Sequence, residues 1–85
     1  MKTQLRVWFK DSRFEGRFTQ IEIEGSYADF RARLAAGEMI SADRVNYERD
    51  ENGHFFVTDR FPCDFTRNGI ERVEENLIWM AEEAA

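Results

Sequence analysis

The fold is decided by an alternating stretch near the start of the chain, KTQLRVWFK, residues 2–10. Thr3, Leu5, Val7 and Phe9 take every second position, with polar or charged residues and Trp8 between them. Because strand side chains point alternately to two faces, this spacing predicts a β-strand with one buried face. Thr3, Leu5, Val7 and Phe9 are its expected inward side.

A second strand is predicted after a polar turn at residues 11–16. Its inward positions are Thr19, Ile21 and Ile23. Its outward positions are Phe18, Gln20, Glu22 and Glu24. An antiparallel hairpin of these two strands would place Arg6 opposite Glu22 or Glu24, a pairing of opposite charges that stabilises a sheet.

A short helix is predicted next, because Tyr27, Phe30 and Leu34 recur at helical spacing. Ser26 is its expected N-cap, with Asp29 three residues later as a capping partner. Gly37 is the expected residue just beyond its C-terminus.

A second hairpin is predicted from residues 43–49 and 54–60 around the turn at residues 50–53. The Asn-Gly pair in that turn readily adopts the positive φ values of hairpin loops, and Pro62 ends the fourth strand. The expected inward residues are Val45, Tyr47, Phe55 and Val57.

A second helix is predicted to start after Thr66 as N-cap. Its expected buried stripe is Ile70, Val73, Leu77 and Met80, widened by Ile78 and Ala81. The predicted fold is therefore α+β, a single ββαββα domain over residues 1–85. Its four-stranded antiparallel sheet would have both helices on one face, and Trp8, Phe18 and Phe56 among charges on the other.

The composition excludes several classes of protein. The 85-residue chain has no apolar run of the roughly 20 residues that a membrane span requires. Its first residues lack the apolar segment of a secretory leader. Cys63 is the single cysteine and has no partner for an internal disulfide, so we expect a cytoplasmic protein.

Catalytic chemistry is not expected either. One histidine, His54, and one cysteine, Cys63, are too few for a zinc site within one chain. The turn at residues 50–53 is too short for a twelve-residue calcium loop, and no glycine-rich phosphate loop is present. The sequence predicts a protein that is not an enzyme and has no metal or cofactor.

Charge is unevenly distributed along the chain. Residues 1–20 carry five basic side chains against two acidic ones, a net charge of +3. Residues 21–85 carry seven basic and fifteen acidic side chains, a net charge of −8, which gives −5 for the whole chain. Such a distribution governs encounter with charged partners rather than the fold.

Two surfaces are candidates for partner contact. The acidic candidate comprises Glu71, Glu74, Glu75, Glu82 and Glu83 on the predicted second helix, with Asp43, Glu48, Asp50 and Glu51 near the second hairpin. Carboxylates one helical turn apart are spaced comparably to nucleic-acid phosphates. The basic and aromatic candidate comprises Arg6, Trp8, Lys10, Arg13, Arg17 and Phe18, with Trp79 as a further possible anchor.

In build, the chain resembles the small acidic anti-CRISPR proteins that bacteriophages encode. The likeness lies in its 85-residue α+β domain, its Met-Lys-Thr start and its acidic end, Ala81-Glu82-Glu83-Ala84-Ala85. It implies a non-catalytic inhibitor, monomer or homodimer, acting in the host bacterial cytoplasm as a DNA mimic. Its partner would be a larger complex with a basic nucleic-acid-binding surface, bound so that the DNA path or nuclease recruitment is blocked.

Two alternatives remain open from the residues. One is a small nucleic-acid-binding regulator that uses the basic N-terminal hairpin, although the acidic body of the chain argues against direct binding of nucleic acid. The other is a housekeeping domain that dimerises through the sheet face opposite the helices.

Overall fold

The structure is a computed structural model that describes residues 1–10 and 17–77. In chain order its elements are β1 (Lys2–Phe9), β2 (Thr19–Glu24), helix α1 (Tyr27–Ala35), β3 (Asp43–Arg49), β4 (Phe55–Pro62), a 3₁₀ turn (Arg67–Gly69) and β5 (Ile70–Glu75). The strands form one antiparallel sheet in the order β4-β3-β2-β1-β5. β4 and β5 thus lie at its two edges.

The core lies between α1 and one side of the sheet, which we call the helix face. Leu5, Val7 and Ile21 are fully buried there, and α1 adds Phe30 and Leu34. The rest of the buried cluster is Ile23, Ile40, Phe65 and Ile70. The inward positions predicted for the first two strands are confirmed, because Leu5, Val7, Ile21 and Ile23 all belong to this cluster.

Local sequence signals located the ends of α1 and the second hairpin turn correctly. Ser26 Oγ accepts a hydrogen bond from the Asp29 N–H at 3.1 Å, and Gly37 has the positive φ of +80° expected after a helix end. In the turn, Asp50 Oδ1 accepts two backbone N–H groups at 2.9 Å, and Gly53 has a φ of +83°.

The prediction of a second helix from Thr66 and a four-stranded sheet is wrong, because residues 70–75 form the fifth strand. Thr66 precedes the 3₁₀ turn and makes no side-chain capping hydrogen bond. Leu77, assigned to the buried stripe, is 63% exposed. The rest of that predicted helix, residues 78–85, lies outside the described part of the chain.

A β-bulge in the pairing of β1 with β5 explains why the sequence of β5 predicts a helix. Ile70 and Val73 are three residues apart, the spacing of one helical face. In the sheet Val73 pairs with Val7 and Ile70 pairs with Phe9, with a register shift between these positions. The extra residue turns Ile70 and Val73 to the same face of a strand, so both reach the core.

The face assignment of the second hairpin is also wrong. Arg44 pairs with Ile21 of the core, so Arg44 shares the helix face. Val45, Tyr47, Phe55 and Val57 consequently lie on the other side of the sheet, with Gln20 and Glu22, and Phe56 lies on the helix face. Side chains alternate strictly along a strand, so a one-residue difference in register exchanges the two faces.

The register of the first hairpin differs from the expectation as well. Arg6 pairs with Gln20, and Glu22 and Glu24 pair with Gln4 and Lys2. This register places Leu5 directly opposite Ile21, so burial of two apolar side chains outweighs one exposed ion pair, which contributes at most about 1 kcal/mol.

A matched pair of leucine substitutions tests this core. We expect Leu5→Ala to lower the free energy of unfolding by about 2–5 kcal/mol, because it leaves a cavity at a fully buried site. Leu77→Ala should change it by no more than about 0.5 kcal/mol, since that side chain is exposed. Urea denaturation measures both, and losses of similar size would contradict the structure.

Candidate functional site

The sheet side opposite α1, which we call the opposite face, carries a buried polar chain. Gln4, Gln20, Glu22 and Asn76 are all buried. Gln4 Nε2 donates to Glu22 Oε2 at 2.8 Å, Gln20 Nε2 donates to Gln4 Oε1 at 3.0 Å, and Asn76 Nδ2 donates to Gln20 Oε1 at 3.1 Å. Connected hydrogen bonds of this kind fix the side chains in one arrangement.

Glu22 is the charged member of that chain and is 4% exposed. Arg60 Nε donates to Glu22 Oε1 at 2.8 Å, and Lys2 Nζ donates to the same oxygen at 3.0 Å. Burial alone would raise the pKa of this carboxyl, but the hydrogen bonds from Arg60, Gln4 and Lys2 outweigh it and lower the pKa to about 2. Glu22 is therefore ionised at neutral pH, and the positive charges of Arg60 and Lys2 compensate its negative charge.

Arginines stacked on aromatic rings are the second feature of the surface. In each pair the guanidinium carbon lies 4.6–5.8 Å from the ring centroid, within the range of cation–π attraction. The pairs are Arg6–Phe18, Arg31–Tyr27, Arg44–Phe61, Arg49–Phe55 and Arg72–Trp8. Stacking restricts the rotamers of an arginine while leaving its N–H groups to bind a partner.

Two of these pairs join into one group, which we call the tryptophan cluster: Arg6, Trp8, Phe18 and Arg72. The rings of Trp8 and Phe18 meet edge to face, with centroids 5.8 Å apart. Phe18 is 42% exposed. Arg72 also binds Glu74, whereas Arg6 Nε is buried without a hydrogen-bond partner in the described part of the chain. The cluster thus combines apolar ring surface with two guanidinium groups that are held against it.

A cleft of about 590 Å³ lies between β2 and β3. The two strands pair at only two positions, Ile21 with Arg44 and Glu22 with Asp43. Beyond them the strands separate. The cleft is lined by Arg17, Phe18, Thr19, Gln20, Arg44, Val45, Asn46 and Tyr47. Within residues 1–10 and 17–77, the lining contains two arginines and no carboxylate, so this part of the cleft is complementary to an anionic group.

The acidic candidate residues do not come together as one helical surface. Glu71, Glu74 and Glu75 lie on or beside the edge strand β5, whose side chains alternate in direction. Glu48, Asp50 and Glu51 surround the β3–β4 turn, and Asp43 begins β3. Since β1 and β2 lie between β3 and β5, the two groups are roughly 14 Å or more apart. Glu82 and Glu83 lie outside the described residues.

The basic and aromatic candidate residues are brought together in part. Arg6, Trp8 and Phe18 belong to the tryptophan cluster, and Arg17 lines the adjoining cleft. Lys10 is exposed just beyond β1. Arg13 and Trp79 lie outside the described residues. Sequence patterns did not predict four further residues of this surface, Arg44, Asn46, Tyr47 and Arg72, because their proximity depends on pairings between distant strands.

The two residues with nucleophilic or acid–base potential lie far apart. His54 immediately precedes β4, and its Nδ1 is 3.8 Å from Asp50 Oδ2. Cys63 follows the other end of β4, so roughly 25–30 Å separates the two. Burial raises the pKa of the Cys63 thiol, which disfavours the thiolate form. Within residues 1–10 and 17–77, no cluster of three or more potential metal ligands occurs.

Comparisons with known proteins returned no family model, no curated protein and no solved structure that matches this chain. In the described part of the chain, no helix has the length and apolar character needed to cross a bilayer.

The acid stability of the protein tests the polar chain. Glu22→Gln should lower the free energy of unfolding by about 1–3 kcal/mol at pH 7, because charge-assisted hydrogen bonds are lost. The folded-state pKa of about 2 lies below the usual 4.5. The stabilisation by Glu22 is therefore complete above pH 4.5 and is lost as the pH falls from 4.5 through 2.

The measurement is urea unfolding of wild type and variant between pH 7 and pH 2.5. The difference between the two proteins should narrow steadily below about pH 4.5. Glu24→Gln is the matched control, because Glu24 lies two residues away on β2 and is exposed. A constant Glu22→Gln difference over the whole range would contradict the arrangement.

Proposed function

We propose that this protein is a non-catalytic binding protein that acts by contact with a larger, nucleic-acid-handling protein complex. The observation that carries the proposal is the tryptophan cluster. Trp, Tyr, Phe and Arg are enriched where protein interfaces gain most of their energy. Here two arginines are held against two such rings, and one ring is 42% exposed.

The tryptophan cluster replaces the acidic helix as the proposed contact surface. Glu71, Glu74 and Glu75 lie on a strand, so the phosphate-like spacing expected of a helix does not apply to them. The overall charge of −5 still favours a partner with a basic surface for long-range encounter. The proposed function is inhibition by occupying such a surface, as the anti-CRISPR resemblance implies. The proposed compartment is the bacterial cytoplasm, which fits a chain with one free cysteine.

Affinity capture with matched arginine variants tests this function. Tagged wild-type protein should retain a defined protein complex from nuclease-treated lysate of a bacterium carrying an active CRISPR–Cas system. We expect Arg6→Ala/Arg72→Ala to lose about tenfold in affinity for the purified complex, because two stacked guanidiniums are removed. Arg33→Ala/Arg67→Ala is the control, with the same charge change at arginines that stack on no described ring.

This experiment has three informative outcomes. Retention of the complex by wild type and loss by the cluster variant support the proposal. Failure of purified effector complexes from several CRISPR types to bind, together with normal targeting of phage in cells that express the protein, would overturn it. Equal loss in both double variants would show a general charge effect and would remove the cluster from the proposal.

A nucleic-acid-binding regulator is the second candidate, and the stacking of Arg6 on the Phe18 ring, which itself contacts Trp8, favours it. Rings stack on bases and arginines neutralise phosphates. If this candidate holds, a fluorescent dT20 oligonucleotide should bind with an affinity that falls at least tenfold between about 50 and about 200 mM NaCl. Anisotropy measures it, and no binding at the lower salt concentration excludes this role.

A further inference from the structure

We propose that the cleft between β2 and β3 binds an extended, acidic peptide segment of the protein partner by strand addition. The inference rests on the proposed function, because it assigns a second contact to the same partner. It is carried by the geometry and charge of the cleft.

Strands β2 and β3 form the two walls of the cleft, and they do not pair with each other along it. The next position of the β2–β3 ladder, Gln20 opposite Val45, is not formed. The Cys63 N–H donates to the Ala42 oxygen at 2.9 Å, so alternation directs the peptide groups of Val45 toward β2 and hence toward the cleft. Extended peptides are commonly recognised by strand backbone in this way.

The side chains around the cleft specify which peptide fits. Arg17 and Arg44 are both exposed cations of the lining, and none of the described residues that line the cleft is a carboxylate. Arg44 is held against the Phe61 ring at 5.1 Å, which leaves its N–H groups to form bidentate bonds with a carboxylate. Phe18 offers apolar surface for a neighbouring side chain of the guest.

Size and net charge favour a peptide over other anions. A volume of about 590 Å³ exceeds what one carboxylate or phosphate fills and lies within the ordinary range of ligand pockets. A single-stranded nucleic acid would have to approach a chain of net charge −5, and that repulsion extends over its whole length. A short acidic peptide, in contrast, would place its carboxylates beside Arg17 and Arg44 and would not extend over the rest of the acidic chain.

A peptide-display selection tests the cleft directly. A phage library of random twelve-residue peptides is selected on the full-length protein, and the enriched peptides are synthesised. We expect them to carry Asp or Glu beside β-branched or aromatic residues, without proline, since proline removes a ladder donor. Amide hydrogen exchange should slow in residues 18–20 and 45–47 when an enriched peptide binds.

Charge variants locate the binding site. Arg17→Glu/Arg44→Glu should weaken an enriched peptide at least tenfold, because a carboxylate then faces like charges. Arg17→Gln/Arg44→Gln removes both positive charges without adding negative ones. It replaces the Arg17→Glu/Arg44→Glu variant in the binding assay if that variant does not fold. Arg33→Glu/Arg67→Glu carries the same change away from the cleft and should bind the peptide like wild type.

Several outcomes would overturn the inference. They are a selection without enrichment, enriched peptides without acidic residues, equal binding by the cleft variants, and protection of residues 18–20 and 45–47 by dT20 rather than by peptide. The proposed function is judged separately. If Arg17→Gln/Arg44→Gln captures the complex like wild type while Arg6→Ala/Arg72→Ala does not, the cleft inference fails and the proposed function stands.

Discussion

The carboxylate of Glu22 is the point on which the arrangement of the sheet depends. It lies on β2, accepts hydrogen bonds from Lys2 and Gln4 of β1, and receives Arg60 from β4 across the intervening β3. Three strands, β1, β2 and β4, are therefore tied to one buried charge. The tie lies at the position where β2 and β3 are paired. Burying a carboxylate without such partners would cost several kcal/mol, so Lys2, Gln4 and Arg60 act with Glu22 as a unit.

Local sequence patterns predicted the elements whose residues satisfy short-range rules. The alternation of residues 2–10, the Ser26 cap and the Asp50 turn depend on neighbours in the chain, and all three are observed. Ile70 and Val73 were misread because helical spacing and a bulged strand produce the same three-residue interval. Only the partner strand β1 distinguishes these two structures.

Residues that act across the sheet were harder to predict than the strands themselves. Gln20 and Glu22 were predicted to point outward, and their burial was not predicted, because alternation assigns a side of the strand but does not show whether that side is covered. The candidate site was predicted in part, since Arg6, Trp8, Arg17 and Phe18 were identified from one hairpin. Arg44 and Arg72 come from strands far away in sequence, and no short-range pattern connects them to that hairpin.

Because β2 pairs with β3 over two residues, the β3–β4 hairpin is attached to the rest of the sheet at the end away from its turn. It is attached at Asp43 and Arg44, whereas its turn begins at Asp50, so its arm is about 20 Å long. A difference of about 10° in the angle at the attachment would displace the tip by about 3–4 Å over such an arm, less than the spacing between two paired strands. The ion pair of Glu22 with Arg60 lies at the base of this arm and helps to fix its angle to β2.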